Sequence, residues 1–319
     1  HGYWATHFQQ MDPHVGTLEE YKALSRLLHQ NEMYLIQDVG CNHAGDYFSY
    51  EGPYDPQDPT KNFVLRTPDS AFQYPFNLLD ARRSEDRDVA AYHFTPEVQD
   101  FSDDSQVLTY AMSGLDDLNT SNPLVRETLK NSFSYWIREV GVDGFRFDTP
   151  LYVEHGFWHD FLYSKDPKAQ GVVLTGKEMG KEHFFNFGET WVQSPPFSRE
   201  GEIKAASYLG TKEKPEMDGF VNFPLLTSIK RVFQEGKSTD HLTFRMQSLI
   251  ELVAHPEYLI NFIDNHDMSR FRSGSDYESF QQALMFIMTI PGVPTIYYGT
   301  EQEFVDTRPA MFAEGYGSE

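Results

Sequence analysis

Short apolar runs recur along this chain, and between them the polar and apolar positions switch to a helical period. Residues 33–38, 144–148, 184–189, 219–223, 259–264 and 293–298 read as buried strands. Thr17-Leu18-Glu19-Glu20 fits a capping box, with Thr17 as N-cap and Glu20 reaching back. The helix that it opens runs to about Gln30 and carries Leu24, Leu27 and Leu28 on one face. Asn122-Pro123 starts another, with Pro at the first helical position, running to about Val140. Further helices are predicted over residues 152–163, 225–234, 239–253 and 278–289.

Strand alternating with helix implies a parallel sheet. Residues 1–4 look like the loop at the end of one more strand. A Pro-, Asp-, Tyr- and Phe-rich stretch from about Ala44 to Leu118 interrupts the alternation. A structureless loop of that length is improbable in a compact domain, so it reads as an inserted subdomain. The organisation expected is an α/β barrel domain from 1–43 and 119–319, with residues 44–118 as the insertion. Six strands and a stub fall short of an eight-stranded barrel, which also needs a strand before residue 1 and a helix after the last strand. The expectation is therefore a barrel incomplete at both ends.

Composition narrows the function. The chain has 26 Lys+Arg against 48 Asp+Glu, a net charge of −22. That argues against nucleic acid as a partner, because phosphate binding needs clustered cations. No apolar run approaches the ~18 residues that span a membrane. The only cysteine, Cys41, excludes an internal disulfide and reads as buried and structural. Aromatics make up 15% of the chain, and rings beside polar sites are what sugars stack on.

Three acids sit where strands end: Asp148 in Gly144-Phe145-Arg146-Phe147-Asp148, Glu189 in Phe187-Gly188-Glu189-Thr190-Trp191, and Asp267 in Asp264-Asn265-His266-Asp267. The C-terminal ends of barrel strands form the catalytic face. Retaining glycosyl transfer needs two carboxyls about 5–5.5 Å apart, one to attack the anomeric carbon and one to protonate the leaving oxygen. The nucleophile must stay ionised, and Arg146, two residues before Asp148, lies on the same strand face. The acid must keep its proton, and Phe187 and Trp191 offer Glu189 apolar surroundings. Asp267 suits a third carboxylate that stabilises an oxocarbenium-like transition state.

With these motifs in order, the chain resembles the α-amylase family, glycoside hydrolase family 13. Asp38-Val39-Gly40-Cys41-Asn42-His43 resembles the motif after its third strand, and Gly144–Asp148 the motif ending in the nucleophile. Gly188-Glu189 resembles the acid/base motif, and Asn265-His266-Asp267 the motif with the transition-state Asp. Residues 292–299 resemble the eighth strand and residues 1–4 the end of the second. The resemblance implies a (β/α)8 TIM barrel with a subdomain inserted after strand 3. It implies Asp148 as nucleophile, Glu189 as acid/base and Asp267 as stabiliser. It further implies sugar stacking by Tyr3, sugar hydrogen bonds from His43 and His266, and Arg146 orienting Asp148 with help from Asp38. The family's structural Ca2+ implies metal ligation by Asn42 and Asp117, whose oxygens suit that ion.

The chain departs from the family where many members carry Lys-His after the nucleophile: here stand Leu151 and Tyr152. The aglycone side is therefore altered, although Tyr152 keeps a backbone carbonyl. Thr149 leans towards α-amylases, whereas Asp117-Leu118-Asn119 also occurs in 1,6-specific relatives. The activity expected is retaining hydrolysis of α-glucosidic bonds, foremost α-1,4 bonds of starch or maltooligosaccharides. An α-1,6-glucosidase, a maltodextrin-degrading enzyme and a transglycosylase are the alternatives within the family. An inactive glucan-binding or truncated member is the alternative outside catalysis. The expected location is secreted or periplasmic.

Overall fold

The computed structural model describes residues 2–66 and 73–312, so residues 1 and 313–319 and the strip 67–72 of the predicted insertion lie outside the described residues. The chain forms two compact units: His1–Asn186 with Thr211–Glu216, and Phe187–Gly210 with Met217–Glu319.

In the first unit, α1 (Leu18–Gln30) starts at the expected capping box: Thr17 Oγ1 accepts from Glu20 N, and Glu20 Oε2 accepts from Thr17 N. Its apolar face is not covered, for Leu24 and Leu27 are 46% and 56% exposed. Polar ties orient this helix instead. Lys22 Nζ bonds Glu139, and His29 Nε2 lies 2.8 Å from Asp143 Oδ2. The next strand, β1 (Ile36–Gly40), begins three residues later than the apolar run predicts. Leu35 N is taken by the Asp143 carboxylate, so the ladder starts only at Ile36.

Residues 44–118 hold short elements. β2 (Phe48–Tyr50) and β3 (Phe63–Leu65) pair antiparallel, and α2 (Ser84–Val89) and α3 (Asp104–Thr109) follow. Phe48 packs against Phe63, Tyr92 and Phe94 with ring centroids 5.3–5.7 Å apart. These aromatic contacts replace the regular periodicity that the sequence lacks there.

α4 (Pro123–Glu139) has its N-terminus capped by Asn122, whose Oδ1 accepts from Leu124 N, and buries Val125, Leu129, Phe133 and Ile137. β4 (Gly144–Asp148) then pairs parallel with β1, with Asp38 opposite Arg146 and Gly40 opposite Asp148. A Cβ at Gly144 would stand 2.1 Å from Phe185 O, so only glycine fits the first rung. After Thr149 the chain forms a 3-10 turn at Pro150–Tyr152, and α5 (His155–Tyr163) starts three residues later than predicted because Val153 is extended. α6 (Val172–Glu178) is a helix the periodicity did not reveal.

β5 (Phe185–Gly188) begins in the first unit, where Phe185 N donates to Asp143 O. In the second unit Gly188 faces Phe220, and α7 (Glu200–Ser207) separates β5 from β6 (Gly219–Phe220). A parallel bridge joins Val221 to Ile260. α8 (Phe223–Ile229), α9 (Asp240–Leu252), β7 (Ile260–Asn261), α10 (Tyr277–Thr289) and β8 (Val293–Pro294) complete it, with β7 and β8 parallel. β7 and β8 are shorter than the apolar runs predict. Beyond their ladder, side chains satisfy the backbone: the Asp264 carboxylate accepts from Phe271 N, and Arg270 donates to Tyr298 O. Each strand of this unit leads into a helix, so residues placed at strand ends share one rim of a β/α layer.

Candidate active site

At the end of β4, Asp148 is buried and Arg146 is its cation. A single guanidinium nitrogen, Arg146 Nη1, donates to Asp148 Oδ1 at 2.9 Å and to both Asp38 oxygens at 2.8 and 2.9 Å. The parallel register explains this: Asp38 is the rung opposite Arg146. Tyr3 OH donates to Asp38 Oδ2 at 2.9 Å, and its ring lies 5.9 Å from the Arg146 guanidinium. Burial, then the Asp38 carboxylate, pushes the Tyr3 phenol far up, so Tyr3 remains a donor. His43 Nε2 sits 3.8 Å from Asp148 Oδ2, and burial lowers its pKa while Asp148 opposes that shift. Among the described residues that buried nitrogen has no partner at hydrogen-bond geometry, which leaves it able to meet a ligand. Tyr3, Trp4, Asp38, His43 and Tyr47 line one wall of a cavity of about 1080 Å3 within this unit. Thus the structure brings Tyr3, Asp38, His43, Arg146 and Asp148 together.

Thr149, directly after Asp148, has φ 47°. A β-branched residue seldom adopts that left-handed conformation, and its buried Oγ1 has no hydrogen-bond partner among the described residues. The turn it makes aims the Tyr152 carbonyl at Asn42. The outer atom of the Asn42 amide lies 2.9 Å from Tyr152 O and 3.1 Å from Asp117 Oδ1. With nitrogen outward, Asn42 donates to both. With oxygen outward, the Asn42 amide oxygen faces two further oxygens, the donor type that calcium takes. Asp117 is buried, and burial pushes its carboxyl up to about 7, with the contacting His93 ring opposing. A buried carboxyl among carbonyl oxygens gains most from a hard divalent cation. Asn42 and Asp117, with Tyr152 O, therefore fit Ca2+ by donor chemistry. The sequence points to the Tyr152 carbonyl as well as to Asn42 and Asp117, but not to His93.

In the second unit, Glu189 follows β5 and is buried. Trp191, two residues on, stacks on Phe223 at 5.0 Å with an interplanar angle of 15°. Trp191 is 45% exposed, so one apolar face beside Glu189 stays open. Asp267 lies in the loop after β7, where Asn265 Oδ1 accepts from Asp267 N. His266 Nε2 is 3.0 Å from Asp267 Oδ2, and Arg308 Nη2 donates to Asp267 Oδ1 at 2.7 Å. Arg308 Nε also donates to His266 O. Arg308 was missed, because it stands in a segment with no periodicity or motif to single it out.

The carboxylates follow parallel strands in a β/α fold, the placement that catalytic groups have in (β/α)8-barrel proteins. The family profile described as "Alpha amylase, catalytic domain" matches residues 1–316, and the chain belongs to that family. It is similar to a cyclomaltodextrin glucanotransferase of Thermoanaerobacterium thermosulfurigenes, 28% identical over 95% of this chain and 38% of the relative. It is also similar to an α-amylase of Saccharomycopsis fibuligera, 26% identical over 100% of this chain and 56% of the relative. Among solved structures, an α-amylase from Geobacillus thermoleovorans complexed with acarbose matches with a TM-score of 0.73 and 27% identity, over 97% of this chain and 58% of that one. The chain therefore spans about half or less of the length of these relatives. Among the described residues, no helix is long and apolar enough to cross a membrane.

Proposed function

We propose that this chain carries the catalytic residues of a retaining glycoside hydrolase acting on α-glucosidic bonds, foremost α-1,4 bonds of starch or maltooligosaccharides. The observation that carries this reading is the Arg146 nitrogen shared between Asp148 and Asp38 at the end of β4. A carboxylate hydrogen-bonded to a permanent cation is held in one orientation, as a nucleophile needs. In the first step Asp148 attacks the anomeric carbon, the bond to the leaving oxygen breaks, and Glu189 gives that oxygen its proton. In the second, Glu189 takes a proton from water, and the resulting oxygen nucleophile releases the sugar from Asp148. Asp267 stabilises positive charge on the ring in both steps. Tyr3 stacks on the reacting sugar, and His43 and His266 bind its hydroxyls. Neutral His43, with an uncommitted ring nitrogen, is suited to that.

Asn42, Asp117 and Tyr152 O would hold a Ca2+ ion, whose contribution is structural. The domain division proposed is barrel from 1–43 and 119–319, with 44–118 inserted. An external glucan polymer is too large to cross a membrane uncut, so a secreted or periplasmic place goes with its digestion. Transglycosylation is the second reading: glucanotransferases are among the relatives, and the altered Leu151-Tyr152 pair changes the acceptor side. Digestion of defined maltooligosaccharides, pullulan and isomaltose separates the two through their products. The test of the chemistry is Asp148→Asn and Glu189→Gln. Each variant should lose turnover by about 10³-fold or more and keep its melting temperature. Near-normal activity in either would sink the assignment.

A further inference from the structure

Lys230 is half-buried at the junction where α8 gives way to a π turn, Lys230–Gln234. Its Nζ lies 3.7 Å from Met268 Sδ, and Met268 directly follows Asp267. Four residues on, and hence on the same side of the turn, Gln234 Nε2 donates to Phe271 O at 2.9 Å. The π turn thus grips the loop after β7 at two points, 268 and 271. Gly274 makes room for this grip, because a Cβ there would stand 3.1 Å from Gln234 Nε2. From below, the Asp264 carboxylate takes Phe271 N and Thr300 Oγ1.

Lys230 makes no ion pair among the described residues, and burial lowers its pKa with only the Asp264 charge opposing. An ammonium against a thioether is costly, and an apolar side chain would pack there at no desolvation cost. Stability is therefore a poor reason for a lysine at this place. π turns interrupting α-helices recur at functional sites.

We propose that Lys230 is a positioning residue, which holds Met268 and through it the backbone that presents Asp267. Its part in catalysis rests on Asp267 acting as the stabilising carboxylate. The test uses Lys230→Leu, Lys230→Arg and Met268→Leu with methyl-labelled methionine. In the free protein, Lys230→Leu should move the Met268 methyl resonance, assigned by its absence in Met268→Leu, more than that of any other methionine. Lys230→Arg should move it less. On maltoheptaose, Lys230→Leu should lower kcat about tenfold with KM within about twofold, because a small misplacement of a charge-stabilising group falls on the transition state. Its melting temperature should hold or rise, and Lys230→Arg should recover most of the rate. An unmoved Met268 resonance would overturn the proposal. So would an unchanged kcat in Lys230→Leu when the parent is active, or a rate loss matched by a lower melting temperature. If the parent cleaves no glucan, the functional reading fails, while the methyl resonance still decides whether Lys230 holds Met268.

Discussion

Arg146 serves two carboxylates with one nitrogen, and that geometry sets what a substitution there can do. Lysine carries its charge as a compact, strongly hydrated point on a shorter, flexible stem, so its nitrogen does not reach the place from which Arg146 Nη1 holds Asp38 and Asp148 together. Arg146→Lys should lower kcat/KM by about 10²-fold or more while the protein melts within a few degrees of the parent. Steady-state rates on maltoheptaose with a thermal melt check this; parental activity would show that charge alone suffices. Thr149 is the opposite case, a residue retained in spite of strain. Its left-handed backbone and unpaired hydroxyl cost about 1–3 kcal/mol, which glycine removes, less about 0.4–1 kcal/mol of unfolded-chain entropy. Thr149→Gly should melt no lower than the parent, as calorimetry would show. At this scale the sequence was informative where a residue type carries chemistry by itself. Asp148, Glu189 and Asp267 stood out at the ends of apolar runs. Arg308, His93 and Lys230 did not, because their meaning lies in a partner far along the chain.

Elements were legible by type more than by limits. The capping box at Thr17 and the Asn122-Pro123 start reappear as read. Strand starts and stops moved wherever a side chain took over a backbone hydrogen bond, as Asp143 does at Leu35 and Asp264 at Phe271. No local pattern announces such a substitution. Glycines mark the tightest strand contacts. A Cβ at Gly144 would lie 2.1 Å from a backbone oxygen that cannot step aside. Gly144→Ala should therefore destabilise by several kcal/mol, or about 2–4 °C per kcal/mol, and soluble expression at a near-parental melting temperature would refute it. The segment 211–216 is pinned to α5 by His155 Nδ1, 3.0 Å from buried Glu216. Glu216 raises the His155 pKa, so its contribution is full below the unfolded value near 6.5 and fades as pH rises through the folded one. His155 is half-exposed, so the effect is small. Glu216→Gln should therefore lower the melting temperature more at pH 5.5 than at pH 8, and equal losses would remove the pair as the cause.

At the scale of the whole molecule, the β/α class was legible because strand and helix alternate over most of the chain. What fastens distant segments was not. Asn42 follows β1, Asp117 closes the 44–118 stretch and Tyr152 follows β4, so one small cluster ties three separate regions of the first unit. The Asn42 amide can face it in two ways, and each has a different consequence. With nitrogen outward, the cluster is complete in itself: Asn42 donates to Tyr152 O and Asp117 Oδ1, and no ion is needed. With oxygen outward, the three oxygens require a cation, and folding becomes linked to its concentration. At a hundredfold excess over Kd such linkage is worth about 2.7 kcal/mol, or several degrees of melting temperature. We expect Ca2+ to raise the melting temperature of the chelator-treated protein by that amount, and Mg2+ to do less because its smaller, stricter octahedron fits carbonyl cages poorly. Asp117→Ala should abolish the response to Ca2+. A parent that melts at the same temperature in chelator and in millimolar Ca2+ would establish the nitrogen-outward arrangement, in which Asn42 itself is the clasp.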